Sequence, residues 1–285
     1  MKILLLGHKG MLGSDLLRQL GEKHDVIPMD VNEINVASAE ECKNAIAENA
    51  PEIVINAAGY TNVDACESAG DECFAVNGEA LKNLAMACGE SAIKIIHFST
   101  DYVFDGLGIS PYKEDHNCNP VNIYGASKLS GERYLQQLSK NYLLIRTAWL
   151  YGEKGKNFVR TILDKAKTVK RLEVVDDQVG SPTYTVDLTA AVALLIDCQA
   201  TGIFHITNRG FCSWHQFAVR ILQEAGINDV EVAAITSDKL PRPARRPAYS
   251  VLSNQKFTEL TGKILQPWQL ALQDYLKKIN VWKSH

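Results

Sequence analysis

The sequence predicts an α/β fold: a doubly wound parallel sheet, with a smaller α/β lobe in the C-terminal half. Three observations predict it. Short apolar runs closed by glycine or small polar residues alternate with longer segments whose apolar residues recur every three or four positions, as strands and helices do. The first run, Ile3-Leu4-Leu5-Leu6, is continuous rather than alternating, which suits a strand covered on both faces. That run opens into Gly7-His8-Lys9-Gly10-Met11-Leu12-Gly13 and then a helical pattern at Leu16, Leu17 and Leu20.

Strand, glycine turn and helix in that order are what a dinucleotide site requires. Glycines let the backbone turn tightly and approach a pyrophosphate, and the helix N-terminus presents free N–H groups and a positive dipole end. Gly7, Gly10 and Gly13, with Met11 and Leu12 between them, are therefore expected to hold a nicotinamide cofactor on a Rossmann-type sheet. Asp25 to Asp30 reads as a second strand ending in a carboxylate. An acid there accepts hydrogen bonds from the adenosine ribose and repels a 2′-phosphate, so Asp30 favours NADH, with NADPH possible if a neighbouring cation intervenes. The simpler reading of Asp30 is a cap on the turn before Val31-Asn32-Glu33.

Ser38 to Asn49 is helical in composition, with Ser38 and Glu41 spaced as a capping box, and Pro51 ends it. Glu52 to Gly59 is a third strand running into small residues. Asn56, Ala57 and Ala58 stand where parallel sheets bind ligands, although Asn56 also suits a structural turn. Phe74, Val76, Ala80, Leu81, Leu84 and Ala85 predict a long helix packed on the sheet, with Asn77 placed to hydrogen-bond the strand ends. Lys94 to Asp101 is a fourth strand. His97 reads as a satisfied core histidine, whereas Ser99, Thr100 and Asp101 fall where the strand meets the cleft.

The next helix starts in Asn119-Pro120-Val121-Asn122-Ile123-Tyr124-Gly125-Ala126-Ser127-Lys128 and continues through Leu129, Glu132, Leu135 and Leu138; Tyr142 to Thr147 is a fifth strand. Tyr124 and Lys128 share one helix face. A phenol beside an ammonium is a usable acid, because the cation lowers a tyrosine pKa of about 10 by roughly 1–3 units. A hydroxyl such as Thr100 can hold a carbonyl oxygen against that phenol. The three together are equipment for protonating a ketone as hydride arrives.

Beyond Ala148-Trp149-Leu150-Tyr151-Gly152 the alternation loosens. Phe158 to Val169 is helical, Leu172 to Val175 strand-like, Asp176 to Thr183 a polar turn, Val186 to Cys198 an apolar helix suited to covering the sheet, Ile203 to Ile206 a strand, and Ser213 to Ala225 a helix. The expected division is a dinucleotide-binding domain over 1–150, rejoined by parts of 170–207, and a substrate-binding lobe over 151–285. Pro241-Arg242-Pro243-Ala244-Arg245-Arg246-Pro247 cannot be regular. Its arginines are either a solvated loop or a clamp for the phosphates of a nucleotide-linked substrate.

Composition narrows the partners. Charged residues are 22% of 285 and the net charge is −3, so nothing advertises nucleic acid or an anionic membrane. No apolar run is long enough to span a bilayer and no signal-peptide layout is present, which points to the cytoplasm. The 7 cysteines are scattered without a C-x-x-C pair, as reduced thiols are. No metal is predicted.

The motifs also occur together. Gly7-x-x-Gly10-x-x-Gly13, Asn56-Ala57-Ala58 and Tyr124-x-x-x-Lys128, in this order, resemble the extended short-chain dehydrogenase/reductases. Ser99-Thr100-Asp101-Tyr102-Val103-Phe104-Asp105-Gly106, the segment from Asn122 to Glu132, Arg146-Thr147-Ala148-Trp149-Leu150-Tyr151, Asp177 to Thr183 and Arg246 to Leu252 resemble more closely the dTDP-4-dehydrorhamnose reductase family, over essentially the full length. The resemblance implies that Tyr124 donates a proton to a C4 ketone, that Lys128 lowers its pKa and binds the nicotinamide ribose, and that Thr100 tunes the phenol and holds the substrate. It implies further that Gly10, Met11 and Leu12 approach the pyrophosphate, Asp30 the adenosine ribose, and that Ala57, Ala58 and Tyr60 line the cofactor cleft. Asp101 and Trp149 would contact a dTDP-sugar. Some family members bind magnesium through acidic residues at a dimer contact; here Asp15 matches one but Val186, beside Asp187, stands where another would be, and monomer and homodimer both stay open. Competing readings are another nucleotide-sugar epimerase or reductase of the extended family, and a non-catalytic regulatory subunit resembling the methionine adenosyltransferase beta subunit.

Overall fold

The computed structural model describes residues 1–89 and 93–283. Its first half alternates as the sequence does: Lys2–Leu6 (β1), Met11–Leu20 (α1), Asp25–Met29 (β2), Ala39–Asn49 (α2), Ile53–Asn56 (β3), the short helices Val63–Cys66 (α3) and Gly70–Phe74 (α4), Ala80–Cys88 (α5), Lys94–Thr100 (β4), Ile123–Leu138 (α6) and Tyr142–Thr147 (β5). The second half holds Leu150–Tyr151 (β6), Phe158–Ala166 (α7), Arg171–Val175 (β7), Val179–Gly180 (β8), Thr183–Tyr184 (β9), Thr185–Asp197 (α8), Gly202–His205 (β10) and Cys212–Ser213 (β11). Trp214–Glu224 (α9), Glu231–Ile235 (β12), Gln255–Thr261 (α10) and Trp268–Lys278 (α11) complete it.

Six strands form one parallel sheet in the order β10-β5-β4-β3-β1-β2. The apolar run of β1 shows why both faces must be covered. Ile3 and Leu5 enter a core with Leu16 of α1 and Leu188, Val192 and Leu195 of α8, while Leu4 and Leu6 enter another with Ile46 of α2, Leu84 of α5 and Leu135 of α6. Strand order reverses between β1 and β3, because the chain passes from β1 outward to β2 and then back across to β3. The crevice at such a reversal, beyond the carboxyl ends of the strands, is where open α/β sheets bind ligands.

A separate core gathers Tyr151, Val159, Leu172, Phe217, Ile221, Leu272 and Tyr275 from α7, β7, α9 and α11. The strand β12, parallel to β7, and the helices α10 and α11 lie outside the elements expected from the sequence. Helix α11 has a readable stripe, Trp268, Ala271, Leu272, Tyr275 and Leu276, all buried.

Two local expectations are corrected. Ser38 does cap α2, accepting from the Glu41 N–H, but the Glu41 carboxylate accepts from the Asn35 N–H at 2.7 Å rather than closing a capping box. The helix expected through Phe74 and Leu84 is broken in phase by a π-helical turn, Ala75–Glu79, which turns Asn77 inward and leaves Phe74 exposed. No disulfide joins any of the 7 cysteines, and among the described residues no helix is long and apolar enough to cross a membrane.

Candidate active site

The glycine turn is built by contact. A Cβ on Gly13 would lie 2.0 Å from the Gly7 carbonyl oxygen, so only glycine lets α1 start this close to the end of β1. One on Gly7 would lie 2.7 Å from the Ala58 nitrogen, which brings β1 and β3 together across the strand reversal. No side chain caps α1, whose first residues are Met11 and Leu12, so its N-terminus is left to a ligand. Asn56 is fully buried; its Oδ1 accepts from the Ala58 N–H, and its Nδ2 has no partner among the described residues. Asn77 grips the next residues, accepting from the Tyr60 N–H at 2.9 Å and donating to the Tyr60 carbonyl at 3.0 Å. These residues fit an extended dinucleotide: a cradle that side chains would fill, free helix N–H groups, and a clamped floor at Ala57 to Tyr60.

Asp30 ends β2 with both oxygens used, accepting from the Lys9 N–H and the Val31 N–H at 2.8 and 2.9 Å. Burial alone would raise its pKa, but these two bonds and the charges of His8 and Lys9 win, so the carboxyl sits below its ordinary value. Asp30 thus holds its turn. The nearby Lys9 ammonium is drawn to Glu33 at 3.3 Å.

The second half of the site is placed by α6 lying over β4. Asn122 caps α6, accepting from the Gly125 N–H at 2.7 Å. A Cβ on Gly125 would lie 2.2 Å from the Tyr102 carbonyl oxygen, so this glycine lets α6 settle on the turn after β4. Tyr124 is half-buried there, its phenol within the reach of Thr100 and its ring edge-on to the Tyr102 ring at 5.8 Å. One turn on, Lys128 is buried with Nζ 3.0 Å from His97 Nε2.

The structure brings Thr100, Tyr124 and Lys128 together at the carboxyl edge of the sheet, but it corrects three sequence-based roles. Lys128 does not bring the Tyr124 pKa below its ordinary range here: burial pushes the phenol up, Thr100 opposes this only in part, and the ammonium is turned to His97. Ser99 does not face the cleft. Side chains alternate along a strand, so Ser99 shares the His97 side and donates to Glu132 Oε1 at 2.5 Å. Asp101 is buried rather than open to a sugar; its Oδ1 accepts from Thr100 Oγ1 at 3.0 Å and its Oδ2 has no partner among the described residues. Asp15 and Asp187 stay apart in use: the first accepts from Thr185 and pairs with Arg18, the second accepts from Asn208 and Gln266.

Trp149 sits just past β5 with φ +48°, a left-handed backbone that bulky residues rarely adopt and that marks functional strain. Its ring stacks on Trp214 at 3.5 Å, with Phe158 against the same Trp214. Trp214 went unremarked in the sequence because it merely opens a helix. Tyr102, Phe158, Lys165, Trp214, Arg242 and Arg246 line part of a cavity of 360 Å³. An adjoining cavity of 460 Å³ shares Arg242 and Arg246 and adds Arg245. Arg242 and Arg246 pair with Asp64 of α3 at 3.3 and 2.9 Å, whereas Arg245 is exposed and its carbonyl accepts from Asn122 Nδ2. A larger cavity, 550 Å³ between Pro51, Lys94 and Gln199, lies at the amino ends of the strands, away from this chemistry.

The RmlD substrate binding domain family matches residues 1–281 of the chain. The chain belongs to this family. It is similar to dTDP-4-dehydrorhamnose reductase of Burkholderia thailandensis, 39% identical with 95% of this chain and 97% of that protein covered. The crystal structure of a dTDP-4-dehydrorhamnose reductase, an RfbD ortholog from Clostridium acetobutylicum, superposes with TM-score 0.95 and 43% identity, covering 98% of this chain and 100% of that one. A dTDP-4-dehydrorhamnose reductase from Bacillus anthracis, in complex with NADP, superposes with TM-score 0.93 and 35% identity over 97% of this chain and 99% of that one. These likenesses extend through both cores and both halves of the site. The Rossmann-type fold and oxidoreductase class expected from the glycine turn and the Tyr124–Lys128 pair accord with them.

Burial raises the Asp101 carboxyl to about 7 despite the hydrogen bond from Thr100. A carboxyl whose folded pKa exceeds its unfolded value near 3.8 favours folding when protonated, so stability falls as pH rises from about 4 through about 7. Asp101→Asn should therefore stabilise the protein by about 2 to 4 kcal/mol near pH 8 and by little near pH 4, measured by urea unfolding at the two pH values. Equal effects at both would mean that Asp101 ionises freely in the fold.

Proposed function

We infer that the protein reduces the C4 ketone of dTDP-4-dehydro-beta-L-rhamnose to dTDP-beta-L-rhamnose with a reduced nicotinamide cofactor. The observation that carries this reading is the convergence of Thr100, Tyr124 and Lys128 at the carboxyl edge of β4, set between the glycine cradle and the arginine-lined cavities. Residues 1–150 with α8 and β10 hold the cofactor in this reading, and the rest of 151–285 holds the sugar nucleotide.

The nicotinamide, when bound, supplies hydride to the ketone carbon. Negative charge then develops on the ketone oxygen, and Tyr124 gives it the phenolic proton. A raised phenol pKa does not forbid this transfer, because an alkoxide is a stronger base than a phenolate. A positioned acid of this kind contributes typically about 10²–10⁴-fold. Thr100 holds the same oxygen in line with the phenol. Lys128 supports the nicotinamide ribose beside Gly59, where a Cβ would lie 4.0 Å from Nζ. Trp149, on its strained backbone, presents a ring wall to the sugar, and Arg245 meets the diphosphate. Arg246 contributes once it leaves Asp64. Binding energy from the nucleotide, remote from the ketone, orients the reacting carbon.

NADH is the preferred reductant in this reading, because Asp30 offers a carboxylate to the ribose and Lys9 is engaged by Glu33. Purified protein given dTDP-4-dehydrorhamnose should oxidise NADH at least as efficiently as NADPH, followed by loss of reduced-nicotinamide absorbance; a strong NADPH preference would contradict the role of Asp30. Tyr124→Phe should lower kcat by about 10²-fold or more while cofactor still binds, read by fluorescence titration; undiminished turnover would remove Tyr124 as the acid. Arg245→Ala should raise KM for the sugar nucleotide with little change in KM for NADH, and an unchanged pair of constants would return that arginine to solvent.

A further inference from the structure

We propose that His97 is a positioning residue for Lys128: held neutral behind the ammonium, it accepts a hydrogen bond from Nζ, aims the remaining N–H groups at the cleft and keeps the lysine charged. This rests on the reading of Lys128 as part of the catalytic site.

The argument begins with donors. A lysine ammonium has three donors and no acceptor, so a contact of 3.0 Å between Lys128 Nζ and His97 Nε2 requires an unprotonated Nε2. The ring proton then sits on Nδ1, which is buried and has no hydrogen-bond partner among the described residues. Both side chains are buried, His97 completely. A second proton on the ring would place two cations in contact away from water. Burial and the Lys128 charge accordingly hold the His97 pKa well below its ordinary value.

The surroundings leave His97 few rivals for this part. Lys128 is faced by His97 from β4, by the Cys73 thiol from α4, and by Tyr124 and Glu132 on α6 itself. Glu132 is already bound by Arg146 and Ser99. Burial lowers the Lys128 pKa to about 8, with Glu132 and Cys73 opposing the shift. Without an acceptor on Nζ the ammonium would lose further ground.

Two measurements test this. In wild-type protein with labelled histidine, nitrogen-15 NMR should show His97 as the Nδ1–H tautomer from about pH 6 to 9. A protonated Nε2, or titration near the ordinary histidine value, would overturn the proposal. In steady-state assays, His97→Leu should move the alkaline limb of kcat down by about 1 to 2 pH units, and His97→Gln, whose Oε1 replaces Nε2 as acceptor, should restore it. An unmoved limb in a folded His97→Leu, or no rescue by His97→Gln, would refute it. If His97→Leu fails to fold, the His97→Gln profile and the tautomer decide, with a displaced His97→Gln limb counting against the proposal. Lys128→Met separates the two ideas. Full turnover in that variant would sink the catalytic reading of Lys128, even with the tautomer as expected. An inactive Lys128→Met beside an unshifted His97→Leu would sink the positioning role alone.

Discussion

The site depends on where α6 lies, and α6 is pinned by one buried ion pair. Glu132, fully buried, receives Arg146 of β5 through both Nε and Nη2, the latter at 2.7 Å, and also accepts from Ser99 of β4. A buried pair of this kind adds little net stability when compared with apolar packing, but removing one partner typically costs about 3–5 kcal/mol. Its value here is positional. With Glu132 locked over β4 and β5, the residue one turn earlier, Lys128, must meet His97, and the residue a further turn back, Tyr124, must meet Thr100. Two steps of four residues along one helix face convert a structural bond into the placement of a phenol.

Much of this was legible in the sequence because it is local. The period of the apolar residues set the strands and helices of the main sheet, the glycine spacing located the close turn between β1 and α1, and Tyr124 and Lys128 shared a face by helix geometry alone. What escaped depends on contacts between distant residues. His97 read as ordinary core because nothing near it in sequence names Lys128 as its neighbour. Asp64 and the arginines of 241–247 are far apart in the chain, so their pairing had no local signature. Alternation along β4 could have separated Ser99 from Thr100, since adjacent strand residues face opposite ways. The direction of the Tyr124 pKa shift was hidden for a different reason: it is set by burial, which helix spacing does not reveal.

The two halves of the chain meet through polar contacts made by an irregular segment. Arg242 and Arg246 reach Asp64 on the side of the main sheet, and Asn122, the cap of α6, donates to the Arg245 carbonyl. This irregular segment therefore touches the start of the helix that carries Tyr124. Such contacts are weaker than apolar packing when exposed to water, and they can exchange partners when an anion of higher charge arrives. A nucleotide diphosphate and the Asp64 carboxylate present the same chemistry to these arginines, at different strengths.

The π-helical turn at Ala75–Glu79 has a consequence beyond its own hydrogen bonds. A π turn holds one more residue than the α-helical turn it replaces, so it shifts the phase of the helix face on either side of it. Excising a single residue there would restore an uninterrupted helix and leave both ends of the segment packed much as before. It would also rotate Asn77 away from Tyr60 and Ser127. A one-residue irregularity in a helix is thus what braces the loop after β3.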